Sequence, residues 1–444
     1  MEPDAPAGSG ASATPDLHLW IINQYASSYP QSGWTRHHFL ARFMRPCGIA
    51  TTIVTDAAIR PGGRRAEGSP AKSSTGASVS AGPGPDDPRF LWLPTRPYSG
   101  NGVGRMINML GFAWSALRAG LRPSRNGLPA PDVVIGSSPQ PFAALAGWLI
   151  ARRHRVPFVL EIRDLWPESL VAILGVRRYH PIVLLLGAIE KFLYARSDRI
   201  VGVLDGVADH VAMRVGRKAP QTTWIPNGVA LDVMPEATPL GEPGAEFHVV
   251  YAGAHGPPNS LDTLLRAAEL LEAEEAADPD APAFRFDLYG DGAVKSELTA
   301  YAERHGLRSV HFHDPVPKDE VFRILAGADA VVLLLPRLYL WRFGISPNKI
   351  FDYLAAGRPV ILAVDSPGDP VTRAGAGIKA TAQDPADLAA KIRRMAALPI
   401  EERRAMGERG RAYVREHHDM PILARRLAGV IRDVIAAQAG SRRR

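Results

Sequence analysis

The side chains gathered in the loop and short helix from Phe343 to Val360 are suited to holding phosphate. Gly344 and Ser346 lie in the loop, Asn348, Lys349 and Asp352 follow in the helix, and Arg342 stands just upstream. Apolar residues between Ile350 and Ala356 recur at helical spacing. Gly357 then stops the helix and Pro359 prevents its restart. Ala330 to Leu335 before the loop and Val360 to Ala363 after it read as buried strands. A loop that leaves the carboxyl end of a strand and opens a helix presents unpaired N–H groups and a positive dipole end, which attract phosphate. Lys349 and Arg342 would add charge to steady a departing diphosphate, and both are taken as catalytic candidates. Asp352, one turn on, is placed to accept hydrogen bonds from sugar or ribose hydroxyls. The same residues also fit an ordinary strand–loop–helix joint with Lys349 and Asp352 in solvent.

Three more glycine-bearing loops repeat the pattern. Gly33 precedes the first helix, Gly253 and Gly256 follow the strand Phe247–Tyr251, and Gly290 and Gly292 end the run FRFDLYGDG, followed by Lys295. A residue without a side chain lets a diphosphate approach the backbone closely. In the first half, the strand Pro157–Asp164 ends in Glu161, Arg163 and Asp164 beside Trp166, a charged cleft wall in which Asp164 is a third catalytic candidate. An Arg163–Asp164 pair that only positions the loop is the alternative. His37 and His38 read as surface or packing residues. His311 and His313 share a strand face without a third ligand, so no metal site is expected.

These groups need two sheets to hold them. At 444 residues the chain is long enough for two domains with real cores. Strands expected at His18–Asn23, Ala50–Thr55, Phe90–Leu93, Asp132–Gly136, Pro157–Asp164, Arg199–Leu204 and Gln221–Ile225 would build the first, alternating with helices. The expected organisation is a disordered tail over 1–15, a first domain over 16–230 with a mobile low-complexity insertion at 60–89, and a linker over 231–245. A second domain over 246–412 follows, then a terminal helix and basic tail over 413–444. The fold class is α/β, with two Rossmann-like doubly wound domains. The net charge of +7 and the clusters Arg152–Arg155 and Arg442–Arg444 favour anionic partners, either nucleotide diphosphates or acidic lipid. Nothing reads as a nucleic-acid module. The single cysteine, Cys47, rules out an internal disulfide and fits a reducing compartment. The acidic N-terminus lacks the apolar core of a signal peptide. No charge-free run spans a bilayer; the nearest, Pro181–Tyr194, is broken by Glu190 and Lys191. That segment is an amphipathic helix whose apolar face belongs either to the core or to a membrane surface.

The loop FGISPNKIFDYLAAGRPV resembles the donor-site motif of family 4 glycosyltransferases, and most closely the WbuB-like branch. Many members carry two glutamates eight residues apart here; this chain has Gly344 and Asp352 at those positions. PYSGNGVGRMINML, RDLWP, IPNGV and the pairing of YGDGAVK with FHDPVPKDEV extend the resemblance over nearly the whole chain. It implies the two-domain GT-B fold, with the domains facing across a cleft and the last helix crossing back to the first. It implies a retaining enzyme that needs no metal or other cofactor. Its donor would be a nucleotide-diphospho-sugar, expected to be UDP-linked and N-acetylated or deoxy, and its acceptor a glycan or lipid-linked acceptor of surface polysaccharide synthesis. It places the nucleotide's base at the segment Asp314–Val316 and makes Tyr98, Asn101, Arg105 and Arg163 the acceptor side. The arginine and lysine that members often carry after the second domain's first strand are missing. Location would be cytoplasmic, peripheral on the inner face of the membrane. Two rivals remain, a UDP-sugar epimerase of the same fold and an inactive nucleotide-sugar-binding partner of a glycan assembly complex.

Overall fold

A computed structural model describes residues 17–29, 35–57, 77–82, 84–98, 102–235, 240–241, 244, 246–278 and 280–442. The expectations for the tail, for Gly33 and Asn101, for most of the insertion and for the middle of the linker lie outside the described residues.

Eight strands form the first sheet: β1 (Leu17–Ile22), β2 (Ile49–Asp56), β3 (Ser78–Ala81), β4 (Arg89–Leu93), β5 (Val133–Ser137), β6 (Phe158–Ile162), β7 (Arg199–Gly202) and β8 (Thr222–Trp224). Helices α1 (Arg36–Met44), α2 (Val103–Leu121), α3 (Pro141–His154), α4 (Glu168–Leu174), α5 (Pro181–Arg196) and α6 (Val207–Val215) connect them. The order is β3-β4-β2-β1-β5-β6-β7-β8, parallel except for β3. Near-continuous apolar runs are what a sheet covered on both faces requires. One face carries Phe112 of α2, Ile150 of α3 and Leu193 of α5. The other carries Phe39 and Leu40 of α1. β3 corrects part of the expected insertion. Ser-Val-Ser-Ala has little to bury, but it pairs antiparallel with β4 and takes the Trp92 Nε1 hydrogen bond on Ser80 Oγ at 2.8 Å.

The second sheet has six parallel strands, β9 (Glu246–Ala252), β10 (Ala283–Tyr289), β11 (Val310–His313), β12 (Ala330–Leu334), β13 (Val360–Ala363) and β14 (Gly377–Ala380), in the order β11-β10-β9-β12-β13-β14. It is covered by α7 (Leu261–Ala277), α8 (Lys295–His305), α9 (Lys318–Ala326), α10 (Asn348–Ala355), α11 (Pro370–Ala374), α12 (Pro385–Ala396) and α13 (Ile400–His417). The last helix, α14 (Met420–Arg442), leaves this domain and buries Leu423, Leu427 and Ile431 against α1 and the first sheet. The two crossings lie side by side, where Val229 N donates to His418 O and Met420 N to Val229 O, both at 3.1 Å. The fold is therefore two doubly wound α/β domains with a helix that crosses back. Among the described residues no helix is long and apolar enough to cross a membrane.

Candidate functional site

Strand order reverses between β1 and β5 in one sheet and between β9 and β12 in the other. At such switch points the loops leaving the carboxyl ends diverge and open a crevice. Gly253, Gly256 and Lys349 lie at the second of these.

In the second domain, Lys349 stands in the first turn of α10 and reaches across the switch to the end of β9. Its Nζ donates to the Tyr251 hydroxyl at 2.6 Å and to Asn259 Oδ1 at 2.7 Å, and lies 4.5 Å from the centre of the Tyr251 ring. No carboxylate pairs with it among the described residues. Lys349 is half-buried, and desolvation of its ammonium pulls its pKa from the usual value down to about 7. Gly253 makes room for it, because a Cβ there would press on the Lys349 chain. Gly290 and Gly292 serve the same packing. With φ at +145°, Gly290 lies against Gly253 O, and Gly292 lies against His255 O. The close approach these glycines permit is thus first of one loop to another. Gly256 opens the turn that ends in Asn259. His255, between these loops, is fully buried with neither ring nitrogen bonded among the described residues. Burial and the nearby Lys295 and Lys349 hold it neutral, near 4.

Other expected donor residues are engaged differently from the sequence reading. Lys295 donates to Gly290 O at 2.9 Å and His313 O at 2.8 Å, so it ties two loops together rather than offering a free cation. Ser346 belongs to the domain junction: its Oγ accepts from Asn227 N at 3.1 Å and its carbonyl from Asn227 Nδ2 at 2.6 Å. Asn348 is exposed at the start of α10, and Val316 is half-buried in the loop before α9. Asp352 lies 3.5 Å from Lys318 Nζ at the start of α9, and burial raises its carboxyl against the pull of that lysine.

Arg342 has partners of its own. A 3-10 turn over Tyr339–Phe343 stacks its guanidinium 4.6 Å from the Phe343 ring centre, and it lines a cavity of about 790 Å³ with Arg337, Ser366 and Lys379 whose walls exclude Lys349. His313 donates to Asp287 at 2.7 Å, and His248 holds the other oxygen at 2.6 Å. The one His/carboxylate grouping of metal-site geometry among the described residues is Glu168, Glu190 and His210, and the Arg214 guanidinium already reaches both carboxylates, 2.7 Å from Glu190 and 3.8 Å from Glu168.

In the first domain, Asp164 and Arg163 lie beyond β6. Surrounding protein raises the Asp164 carboxyl, while Arg163 and Arg105 pull it back. Arg105 also hydrogen-bonds Tyr25, whose hydroxyl feels Tyr98. Tyr98 and Arg105 therefore lie near Tyr25, which sequence reasoning missed, and Arg105 and Arg163 both act on Asp164. Beneath them is a closed polar floor. His37 takes Asn23 Nδ2 at 3.3 Å and donates to Glu161 at 2.6 Å; Ser137 and Arg36 complete the carboxylate at 2.7 and 3.0 Å. Burial would raise Glu161, but His37 and the Arg36 and Arg163 guanidiniums hold it well below the usual range. His37 and His38 are thus packing residues, both buried.

The domains also touch opposite the hinge. Gly344 has φ +92°, and a Cβ there would overlap the carboxylate of Asp205, from the loop after β7. Asp205 pairs with Arg373 of α11, and Gly206 N donates to Phe343 O at 3.0 Å. The space into which a side chain at 344 would project is filled by a carboxylate of the other domain.

Comparison with known proteins agrees with this architecture. Residues 33–228 match the model of the glycosyl transferase 4-like domain, and residues 246–397 that of glycosyl transferases group 1. WbjE of Pseudomonas aeruginosa, named as a glycosyltransferase, is 22% identical over 320 residues, 69% of this chain and 75% of its own. WcaI of Escherichia coli K12, named as a colanic acid biosynthesis glycosyl transferase, is 22% identical over 287 residues, 62% of this chain and 66% of its own. Among solved structures, sucrose-phosphate synthase from Thermosynechococcus elongatus superposes with a TM-score of 0.72 at 17% identity, covering 95% of this chain and all of its own. Anabaena HepE in complex with UDP and glucose gives 0.61 at 13% identity, covering 94% and 100%. With one family model on each domain, the chain belongs to the family 4 glycosyltransferases of the GT-B fold.

Proposed function

We propose that this glycosyltransferase is a retaining enzyme that moves a sugar from a UDP-linked donor to a lipid-linked or glycan acceptor in surface polysaccharide synthesis. The observation that carries the donor half is the Lys349 ammonium, half-buried at the second switch point with only neutral oxygens for partners among the described residues. A buried cation without a counter-charge is costly unless a ligand supplies one. A diphosphate does so, and Lys349 stands in the first turn of α10, where unpaired N–H groups favour the same charge. HepE, of the same fold, is seen with UDP and glucose, and the name of WcaI supports the polysaccharide setting.

In the proposed reaction the bond from the sugar's anomeric carbon to the diphosphate oxygen breaks, and its electron pair leaves with the nucleotide. Lys349 and the α10 amides stabilise that charge. The acceptor hydroxyl attacks from the same face and passes its proton to the departing phosphate oxygen. Asp352 would take donor hydroxyls and Val316 the base, with Lys318 limiting how far Asp352 is free to do so. Tyr98, Arg105, Arg163 and Asp164 would hold the acceptor.

The test is a panel of nucleotide sugars scored for hydrolysis and transfer, with the product anomer read by NMR. UDP-sugar turnover with retained configuration is expected. Inversion, isomerisation of the donor without acceptor, or UDP binding without turnover would each overturn part of the reading. Arg105→Ala addresses the acceptor half: the acceptor KM should rise about tenfold or more while acceptor-independent donor hydrolysis stays within about twofold. Equal losses in both would remove Arg105 from the acceptor side.

A further inference from the structure

We propose that the outer face of α2 and α5 docks on an anionic lipid surface. Helix α2 leaves Val103, Ile107, Leu110 and Trp114 exposed by 76, 50, 47 and 61%. Their spacing of four, three and four residues puts them on one helical stripe, opposite the buried Phe112 and Ala116. Met109 of α2 and Leu186 of α5 meet over Phe142 of α3, so the two helices share one small core. Leu184 and Leu185 of α5 and Tyr179 just before it are also exposed. Contiguous apolar surface of this kind marks an interaction site.

Charge selects the occupant. Between Asp87 and Asp132 the chain has no acidic residue but carries Arg89, Arg96, Arg105, Arg118, Arg122 and Arg125. Between Glu168 and Glu190 there is again none, and Arg177 and Arg178 lie exposed beside Tyr179. Glu190 itself is buried and paired with Arg214. An apolar stripe with a central tryptophan, rimmed by arginines and free of carboxylates, suits the headgroup layer of an anionic bilayer and not a second copy of the same cationic face. The opposite side of α2 sends Arg105 to Tyr25 in the cleft. One helix would then both seat the protein on the lipid and face the acceptor. This deepens the proposed reaction, from which it takes only that the acceptor is amphiphilic.

Flotation of the full chain with phosphatidylglycerol and with phosphatidylcholine vesicles tests it, without donor present. Binding to the anionic vesicles at low salt, weakened by added salt, is expected. The double variant Ile107→Ser, Trp114→Ser should lose at least about tenfold in partitioning, while Leu270→Ser, equally apolar and exposed on the second domain, should not. Both variants should bind UDP as the unaltered chain does, which separates a docking failure from a failure of the donor site. Absence of vesicle binding, binding to both lipids without salt dependence, or a double variant that floats unchanged would overturn the proposal. So would an unaltered chain that self-associates through the stripe and turns monomeric in the variant.

Discussion

Replacing Lys349 with alanine is expected to lower donor turnover about 10²- to 10³-fold, the scale of losing one preorganised group that holds leaving-group charge, while leaving the fold intact. The stability half of this prediction is unusual. Most truncations of half-buried side chains destabilise, but here the amine is held without a carboxylate, against Tyr251 and Asn259 only. Its removal relieves a desolvation penalty, so the melting temperature should stay level or rise. A trade of stability for activity is what a preformed anion site implies. Turnover and thermal melts on the same preparation check both halves; near-normal turnover would remove Lys349 from the mechanism.

The same lysine gives a pH dependence. Its folded pKa of about 7 lies below the ordinary 10.5 of an unfolded chain. Between these values the unfolded state binds more protons, so this group's penalty is full below pH 7 and fades as pH rises, and stability increases across that window. Bound diphosphate favours the charged amine and raises its pKa. UDP affinity from this group should therefore be greatest below about pH 7 and fall by up to about tenfold per pH unit above it. Calorimetry in buffers of different ionisation enthalpy should show proton uptake on binding, and Lys349→Met should abolish that uptake.

The strands were legible because a doubly wound sheet demands long apolar runs, and runs such as Ala330–Leu335 have no other use. The loop at Gly344–Lys349 was legible because glycine, proline and lysine before a helical period leave few alternatives. What the lysine touches was not. Asn259 is a turn residue ninety positions upstream in the chain, and nothing in Pro-Pro-Asn announces a partner for an ammonium. The surroundings of Arg342 were not legible either, for a local reason: a single 3-10 turn lays the side chain against Phe343. β3 stayed hidden because its pairing comes from β4 and Trp92, not from a pattern of its own. Tyr25, Arg105 and Asp164 follow three different strands, which only the closed sheet brings together.

The contact between Asp205 and Gly344 makes the second large prediction. Gly344→Glu restores the acid that the family resemblance leads one to expect at this position, yet it should damage the protein. The backbone there has φ +92° and ψ 175°, a region nearly reserved for glycine and costing other residues about 1–3 kcal/mol. The new Cβ would also overlap the Asp205 carboxylate, and the glutamate would place a second negative charge beside one that Arg373 already neutralises. A loss of about 2–3 kcal/mol is expected, seen as a melting temperature lower by several degrees. Turnover should fall at least about tenfold, because the clasp of Gly206 on Phe343 that sets the domains face to face is forced apart. The double variant Gly344→Glu, Asp205→Gly removes the overlap and the like charge but keeps the backbone strain, so it should recover part of the stability and not all. If turnover recovers as well, the two carboxylates serve one purpose from opposite sides of the cleft: Asp205 stands in for the missing acid. If Gly344→Glu alone is as stable and active as the unaltered chain, the interdomain clasp has no part in holding the working arrangement.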